Sequence, residues 1–273
     1  MEARLRSPLT ATVTIIALLF LFAPLAIVVL FSFHKTGALS FPFTGFSLRW
    51  YRQVFSSDEF RSALRNSAIV ACCVSATTLL LGTAAAYGLT RTSSRLRAPL
   101  TLLFFLPITL PGLFLGVGAL IFFVRIDLGL SLVTVAIAHF VYVFPYFLLI
   151  ASAALGRLDP ALEESAADLG ASPLLVFRRV TMPQIWPILV GATALAFALS
   201  FDEFIITFFV IGAQSTLPMY IWSSFKRTID PSINTISTLL MTVMLVLWVI
   251  AFFFTIRVER SRRRALETLP GGA

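Results

Sequence analysis

The chain has 273 residues, of which 58% are hydrophobic and 12% charged, and its formal net charge is +8. Soluble domains carry roughly twice that charged fraction, about 25%, so the composition excludes an ordinary water-soluble enzyme or binding module. Six mostly apolar runs occur, at approximately 9–33, 67–90, 99–124, 131–156, 185–212 and 234–256. Each reaches the roughly 20 residues a helix needs to cross a bilayer with its backbone groups paired internally. The predicted class is an all-α polytopic membrane protein, a single transmembrane domain over residues 1–273.

The first run follows Arg4 and Arg6 but is too long for the apolar region of a cleavable signal peptide, so it reads as a retained span. In the second, the adjacent Cys72 and Cys73 read as small buried apolar residues, since no histidine pattern accompanies them. His34 and His139 lack any metal-ligand spacing. Pro107 and Pro111 in the third run and Pro145 in the fourth remove helix hydrogen bonds and predict bends. Gly112 and Gly116 form a Gly-x-x-x-Gly that permits close helix approach. In the fourth run Phe140, Tyr142, Phe144 and Tyr146 offer stacking faces that suit an alkylammonium solute, though packing or lipid contact also accounts for them.

Asp202 and Glu203 interrupt the fifth run, about 26 Å along a helix from Ile185. A carboxylate at that depth costs several kcal/mol unless it is paired or wet, and such residues usually mark a pathway. Attraction of a cationic solute, with Asp202 facing the path, is one reading; an ion pair or a helix cap at a break near Ser200 is the other. The segment Ala213–Ile233 predicts a short outer helix bearing Lys226 and Arg227, offered to an external partner or an outer gate.

Thirteen of the 21 Lys and Arg residues fall on the N-terminal side of the membrane when the spans alternate, which puts both termini in the cytoplasm. The tail RVERSRRR, Arg257 to Arg264, reads as an anchor to anionic headgroups and not as a nucleic-acid site. The only lysines are Lys35 and Lys226, and neither follows a glycine-rich turn, so the chain builds no P-loop and is not expected to hydrolyse ATP.

The polar segment 157–184 then lies between spans four and five on the cytoplasmic side. Asp159-Pro160 is a helix start, with an acceptor for free amides followed by a preset φ. Gly170 suits the left-handed position that ends that helix. Ser172-Pro173 repeats the start signal for a second short helix from Leu174 to Arg179, and Pro183 precedes return to the membrane. Leu169, Leu174, Leu175 and Phe177 on this knob predict burial against a partner or against the protein's own helix ends.

Glu164-Ser165-Ala166, three residues, Gly170, nine residues and Val180-Thr181-Met182-Pro183 resemble the EAA loop of ABC importer permeases. Ser165, Val180 and Met182 depart from the family's Ala, Ile and Leu by small changes in size. The stretches FSLRWYRQVFSSDEFRSALRNS, from Phe46, and Leu199 to Leu240 resemble the spermidine/putrescine branch. The resemblance implies a type I importer permease fold with six transmembrane helices, in a bacterial inner membrane. It implies that Glu164, Ser165, Ala166, Gly170, Ala171, Arg178 and Pro183 belong to a coupling helix docking on a separate ATPase. Arg178 and Arg179 also fit a mere positive-inside role. The implied partners are a homodimer of ATP-binding subunits that holds ATP and Mg, a second homologous permease, an external solute-binding protein and membrane lipid. The candidate solute path is Asp202, Glu203, Tyr142, Tyr146 and Phe140, for a polyamine. Importers of aminophosphonate, opine, amino acid or ferric iron remain alternatives, as does an ion-driven secondary transporter using Asp202 and Glu203.

Overall fold

The computed structural model describes residues 8–36, 42–92, 94–227 and 231–267. Arg4 and Arg6, and the side chains of Arg227 and of the tail beyond Arg257, lie outside the described residues. In chain order the helices are α1 (Pro8–Ser32), α2 (Arg49–Ser56), α3 (Asp58–Thr77), α4 (Thr83–Arg91), α5 (Ser94–Thr109), α6 (Gly112–Arg125) and α7 (Leu132–Leu155). They continue as α8 (Pro160–Asp168), α9 (Pro173–Val176), α10 (Met182–Phe201), α11 (Ile205–Val210), α12 (Leu217–Arg227) and α13 (Pro231–Glu267). Two π-helical turns, Thr78–Gly82 and Phe177–Thr181, join α3 to α4 and α9 to α10 without a break. Among the described residues, five continuous helices are long and apolar enough to span a membrane, and α5 with α6 makes a sixth.

Spans three and five depart from single continuous helices, span three at one of the prolines that predict a bend. Span three is cut at Leu110–Pro111, and its halves α5 and α6 meet at 105°. Pro111 has no N–H to continue the ladder and instead occupies the cap position of α6. Pro107 and Pro145, by contrast, sit inside α5 and α7 without ending them. Span five begins earlier than expected: Pro173 to Phe201 is one helical run. The predicted stop between Arg179 and Pro183 is absent because the π turn at Phe177–Thr181 absorbs the extra residue.

By compactness the chain falls into two units, residues 1–61 with 220–243, and residues 62–219 with 244–273. In the first, the end of α1 is held by an aromatic cluster. Phe31 stacks on His34 at 5.3 Å, and Phe33 stacks on Tyr51 at 5.0 Å. Trp50 donates its indole N–H to the His34 carbonyl at 2.7 Å, and Thr235 donates to the Ser32 carbonyl at 3.2 Å. His34 is buried with both ring nitrogens hydrogen-bonded to the backbone or side chains of Thr36 and Thr44, so it is a satisfied core histidine.

The second unit is built around α7. The Ser131 hydroxyl accepts from the Val133 N–H while the Thr134 hydroxyl accepts from the Ser131 N–H at 2.8 Å, a reciprocal cap that starts the helix. One apolar cluster, including Val135, Val143, Ala196 and Ile206, packs on the first half of α7. A second, including Phe147, Leu148, Ala151, Ile185 and Leu189, packs on the rest. Cys72 and Cys73 are exposed rather than buried: they lie on the face of α3 opposite Val70, Ala71 and Val74, which fill the core. From Ala68 to Val74 every residue of this helix is apolar, so the local sequence offers no polar stripe from which its outer face can be read.

Candidate functional sites

The segment 157–184 forms a hairpin whose first arm follows its local signals. The Asp159 carboxylate accepts from the Ala161 N–H at 3.0 Å, and Pro160 fills the first helical position of α8. At the far end Gly170 adopts φ +83°. The Ala171 N–H reaches the Ala166 carbonyl at 3.1 Å and the Gly170 N–H reaches that of Ala167 at 2.8 Å, a Schellman closure. The tip is open: Leu169 is 89% exposed, Leu174 is 67% exposed, and a Cβ on Gly170 would meet nothing within 4 Å. Glu164, Ser165, Arg178, Arg179 and Pro183 are also exposed, while Ala166 and Ala171 are half-buried. Phe177 is instead packed on the chain itself, edge-on to Tyr87 at 4.8 Å.

Glu163 behaves differently from its neighbour Glu164. It turns inward, with 16% of its side chain exposed. Its Oε2 accepts from the Arg91 guanidinium at 2.5 Å, and its Oε1 accepts from the buried Thr181 hydroxyl at 2.6 Å.

A second polar site lies where α10 ends. The Asp202 N–H still bonds the Ala198 carbonyl at 3.2 Å, and the chain then breaks before α11. Asp202 is exposed. The Glu203 carboxylate folds over the start of α11, its Oε2 accepting from the Ile206 N–H at 2.9 Å and the Thr207 N–H at 3.1 Å. His139, fully buried in α7, bonds the Ser200 hydroxyl through Nδ1 at 2.9 Å and the Thr207 hydroxyl through Nε2 at 2.8 Å, with Glu203 Oε2 3.7 Å away. Thr207 gives its proton to the Glu203 carbonyl at 2.9 Å, so the bond from His139 requires an N–H at Nε2 and leaves Nδ1 to accept from Ser200. Tyr142 and Tyr146 meet edge-on at 5.6 Å on the same helix, and Tyr142 lies within electrostatic reach of Glu203.

Of the three glycines of α6, Gly116 is the one that lets α11 come close after this break. A Cβ on Gly116 would lie 2.7 Å from the Phe209 ring and 3.2 Å from the Ile206 Cα, and one on Gly112 would lie 4.0 Å from Glu203 Oε1. At Gly116 the backbone of α11 rests directly on α6 and leaves no room for a side chain, whereas at Gly112 a Cβ would make ordinary contact.

A sequence profile of binding-protein-dependent transport system inner membrane components matches residues 78–264, more than half of the chain. The chain belongs to this family. It is 32% identical over 271 residues, 96% of each chain, to the putrescine transport system permease protein PotI of Escherichia coli (strain K12). It is 27% identical to the spermidine/putrescine transport system permease protein PotC of Haemophilus influenzae, over 86% of this chain and 92% of that one. It is 29% identical, over 92% of both, to the putative 2-aminoethylphosphonate transport system permease protein PhnV of Salmonella paratyphi A. Among solved structures, a bacterial ABC transporter that imports alginate matches with TM-score 0.70 and 16% identity, over 92% of this chain and 95% of that one. The MetNI methionine ABC transporter matches with TM-score 0.64 and 18% identity, over 73% and 95%. These two likenesses concern the fold.

In this inner-membrane component the candidate path residues do not form one group. Tyr142 and Tyr146 share the face of α7 that meets Glu203. Phe140 lies half a turn away, ring-packed on Phe144 at 5.3 Å, and Phe144 in turn meets Phe104. Two residues that the sequence left without a role, Glu163 and His139, prove to be the hubs of the two polar clusters. Their signal was faint: a second acid beside Glu164, and a histidine in an otherwise apolar run.

Proposed function

We propose that the chain is a transmembrane subunit of an ATP-driven importer, forming half of the path for a small organic cation, a polyamine such as putrescine or spermidine. The observation that carries this reading is the 32% identity to PotI over 96% of both chains. The open tip of the 157–184 hairpin supports docking of a separate ATPase. That partner is proposed as a homodimer holding ATP and Mg, and this chain as carrying no catalytic residue. A second homologous permease completes the path, an external solute-binding protein delivers the solute, and lipid surrounds the assembly. Both termini and the hairpin are placed in the cytoplasm. On the opposite side α12, where Lys226 lies 4.8 Å over the Trp222 ring, is placed to meet the binding protein.

Asp202, exposed at the break, is the carboxylate proposed to meet the ammonium group, with Tyr142 and Tyr146 as an aromatic wall. Glu203 is engaged in capping α11 and is assigned to holding the break in place. Asp202→Asn is expected to raise the KM for putrescine about tenfold, the loss of one charge-assisted contact of roughly 1.5 kcal/mol, with kcat changed less than about threefold.

The likeness to PhnV favours one specific alternative, an aminophosphonate, which also presents an ammonium group. ATP-dependent uptake of labelled putrescine into proteoliposomes holding the reconstituted complex, with 2-aminoethylphosphonate as competitor, separates the two. Uptake that the phosphonate does not reduce supports the polyamine; phosphonate uptake without putrescine uptake replaces it.

A further inference from the structure

We infer that Glu163 is the positioning residue through which the hairpin moves spans two and five as one body. This inference rests on the importer reading, and it concerns an acid that the motif leaves aside.

Five side chains close a ring around the root of the hairpin. Arg91, the last residue of α4, bonds Glu163 of α8 at 2.5 Å. Glu163 accepts from Thr181 of the π turn at 2.6 Å. Four residues earlier in that turn, Phe177 packs edge-on against Tyr87 at 4.8 Å, and the Arg91 guanidinium lies over the same Tyr87 ring at 5.3 Å. The ring therefore joins three elements: the end of span two, the coupling helix, and the start of span five.

Apart from the ring, α8 meets span five through the turn at Gly170–Ser172 and its packing on α9 and the π turn, and it reaches span two only indirectly, through α7 and span five. A glycine turn transmits force poorly, because its dihedrals yield. The charged corner supplies a stiff bypass: one carboxylate engaged by both oxygens, largely shielded from solvent, where such bonds are strong. The π turn places Thr181 in the corner; a continuous α-helix would rotate the residues that follow by about 100° relative to those before it.

The test uses the complete complex in proteoliposomes, measuring putrescine uptake and ATP hydrolysis together, with copurification of the ATPase subunit as the check on assembly. Glu163→Ala and Arg91→Ala are expected to keep the ATPase bound and hydrolysing while the solute moved per ATP falls about tenfold. Thr181→Val, which removes one bond and keeps the shape, is expected to lower the ratio about threefold. Exchanging the charges, Arg91→Glu with Glu163→Arg, is expected to bring the ratio back to within about threefold of wild type. A wild-type ratio in Thr181→Val and Glu163→Ala overturns the inference, as does a charge exchange no better than the single changes. A wild-type complex that shows no ATP-dependent uptake overturns the importer reading itself, and the inference with it.

Discussion

Gly116→Leu is expected to abolish the stable protein, and Gly118→Leu to leave it unchanged. Two residues apart on the same helix, they differ only in what a side chain would meet. At Gly118 nothing lies within 4 Å, whereas at Gly116 the new Cβ falls 2.7 Å from the Phe209 ring and 3.2 Å from the Ile206 Cα. The ring of Phe209 can swing aside, but the backbone of α11 cannot without dragging Glu203 and the break with it. The cost is therefore at the upper end for overpacking, about 3 kcal/mol, while Gly118→Leu gains slightly in helix propensity. Thermal unfolding of the two purified variants in detergent decides it. A Gly116→Leu protein that melts like wild type would mean that α6 and α11 are not in this close contact.

Glu203→Ala is the second large effect. It strips the acceptor from the amides of Ile206 and Thr207, both on buried residues. An orphaned buried donor costs about 1–3 kcal/mol, and lipid surroundings offer no water to replace the lost bond. A loss of about 2–4 kcal/mol is expected, read as a lowered melting temperature together with lost uptake. Glu203→Gln retains a carbonyl oxygen for the same amides and is expected to keep most of the stability and uptake. The pair of variants separates a cap from a solute contact. If Glu203→Gln is as damaging to uptake as Glu203→Ala while its stability is intact, the charge itself serves the solute, and Glu203 joins Asp202 in the path.

Features that depend on neighbours in sequence were legible before the structure. Asp159-Pro160 and Gly170 act on the residues beside them, and α8 begins and ends where they say. Gly112 and Gly116 signalled a close approach because only a missing side chain permits one, although the partner, α11, was not in the pattern. Pro111 announced a bend in span three; the 105° angle depends on how α6 packs and is not a property of proline alone. The break after Phe201 had no glycine or proline to mark it, only the two acids, and acids suit a path and a cap equally. Glu163 was less legible still. Its partner Arg91 is 72 residues away and had a sufficient explanation as one of the positive charges flanking a span. The face of α3 bearing Cys72 and Cys73 was misread because the residues about them, Ala68 to Val74, are all apolar, and residue type alone does not tell core from lipid.

The central claim is that this chain carries solute with power supplied by another chain through the 157–184 hairpin, and Gly170→Asp tests it most directly. Nothing lies within 4 Å of a side chain at that position, and Asp tolerates a positive φ better than most residues, so the substitution leaves the chain itself little disturbed. What it changes is the open tip, where a charge would stand against any docked partner. The measurement is ATP-dependent putrescine uptake by the reconstituted complex, wild type against Gly170→Asp, with the melting temperature of the isolated subunit alongside. Wild-type uptake that requires ATP, falling at least about tenfold in Gly170→Asp at an unchanged melting temperature, is the predicted result. Equal ATP-driven uptake by both proteins, or wild-type uptake driven by an ion gradient in the absence of the ATPase, would contradict the account.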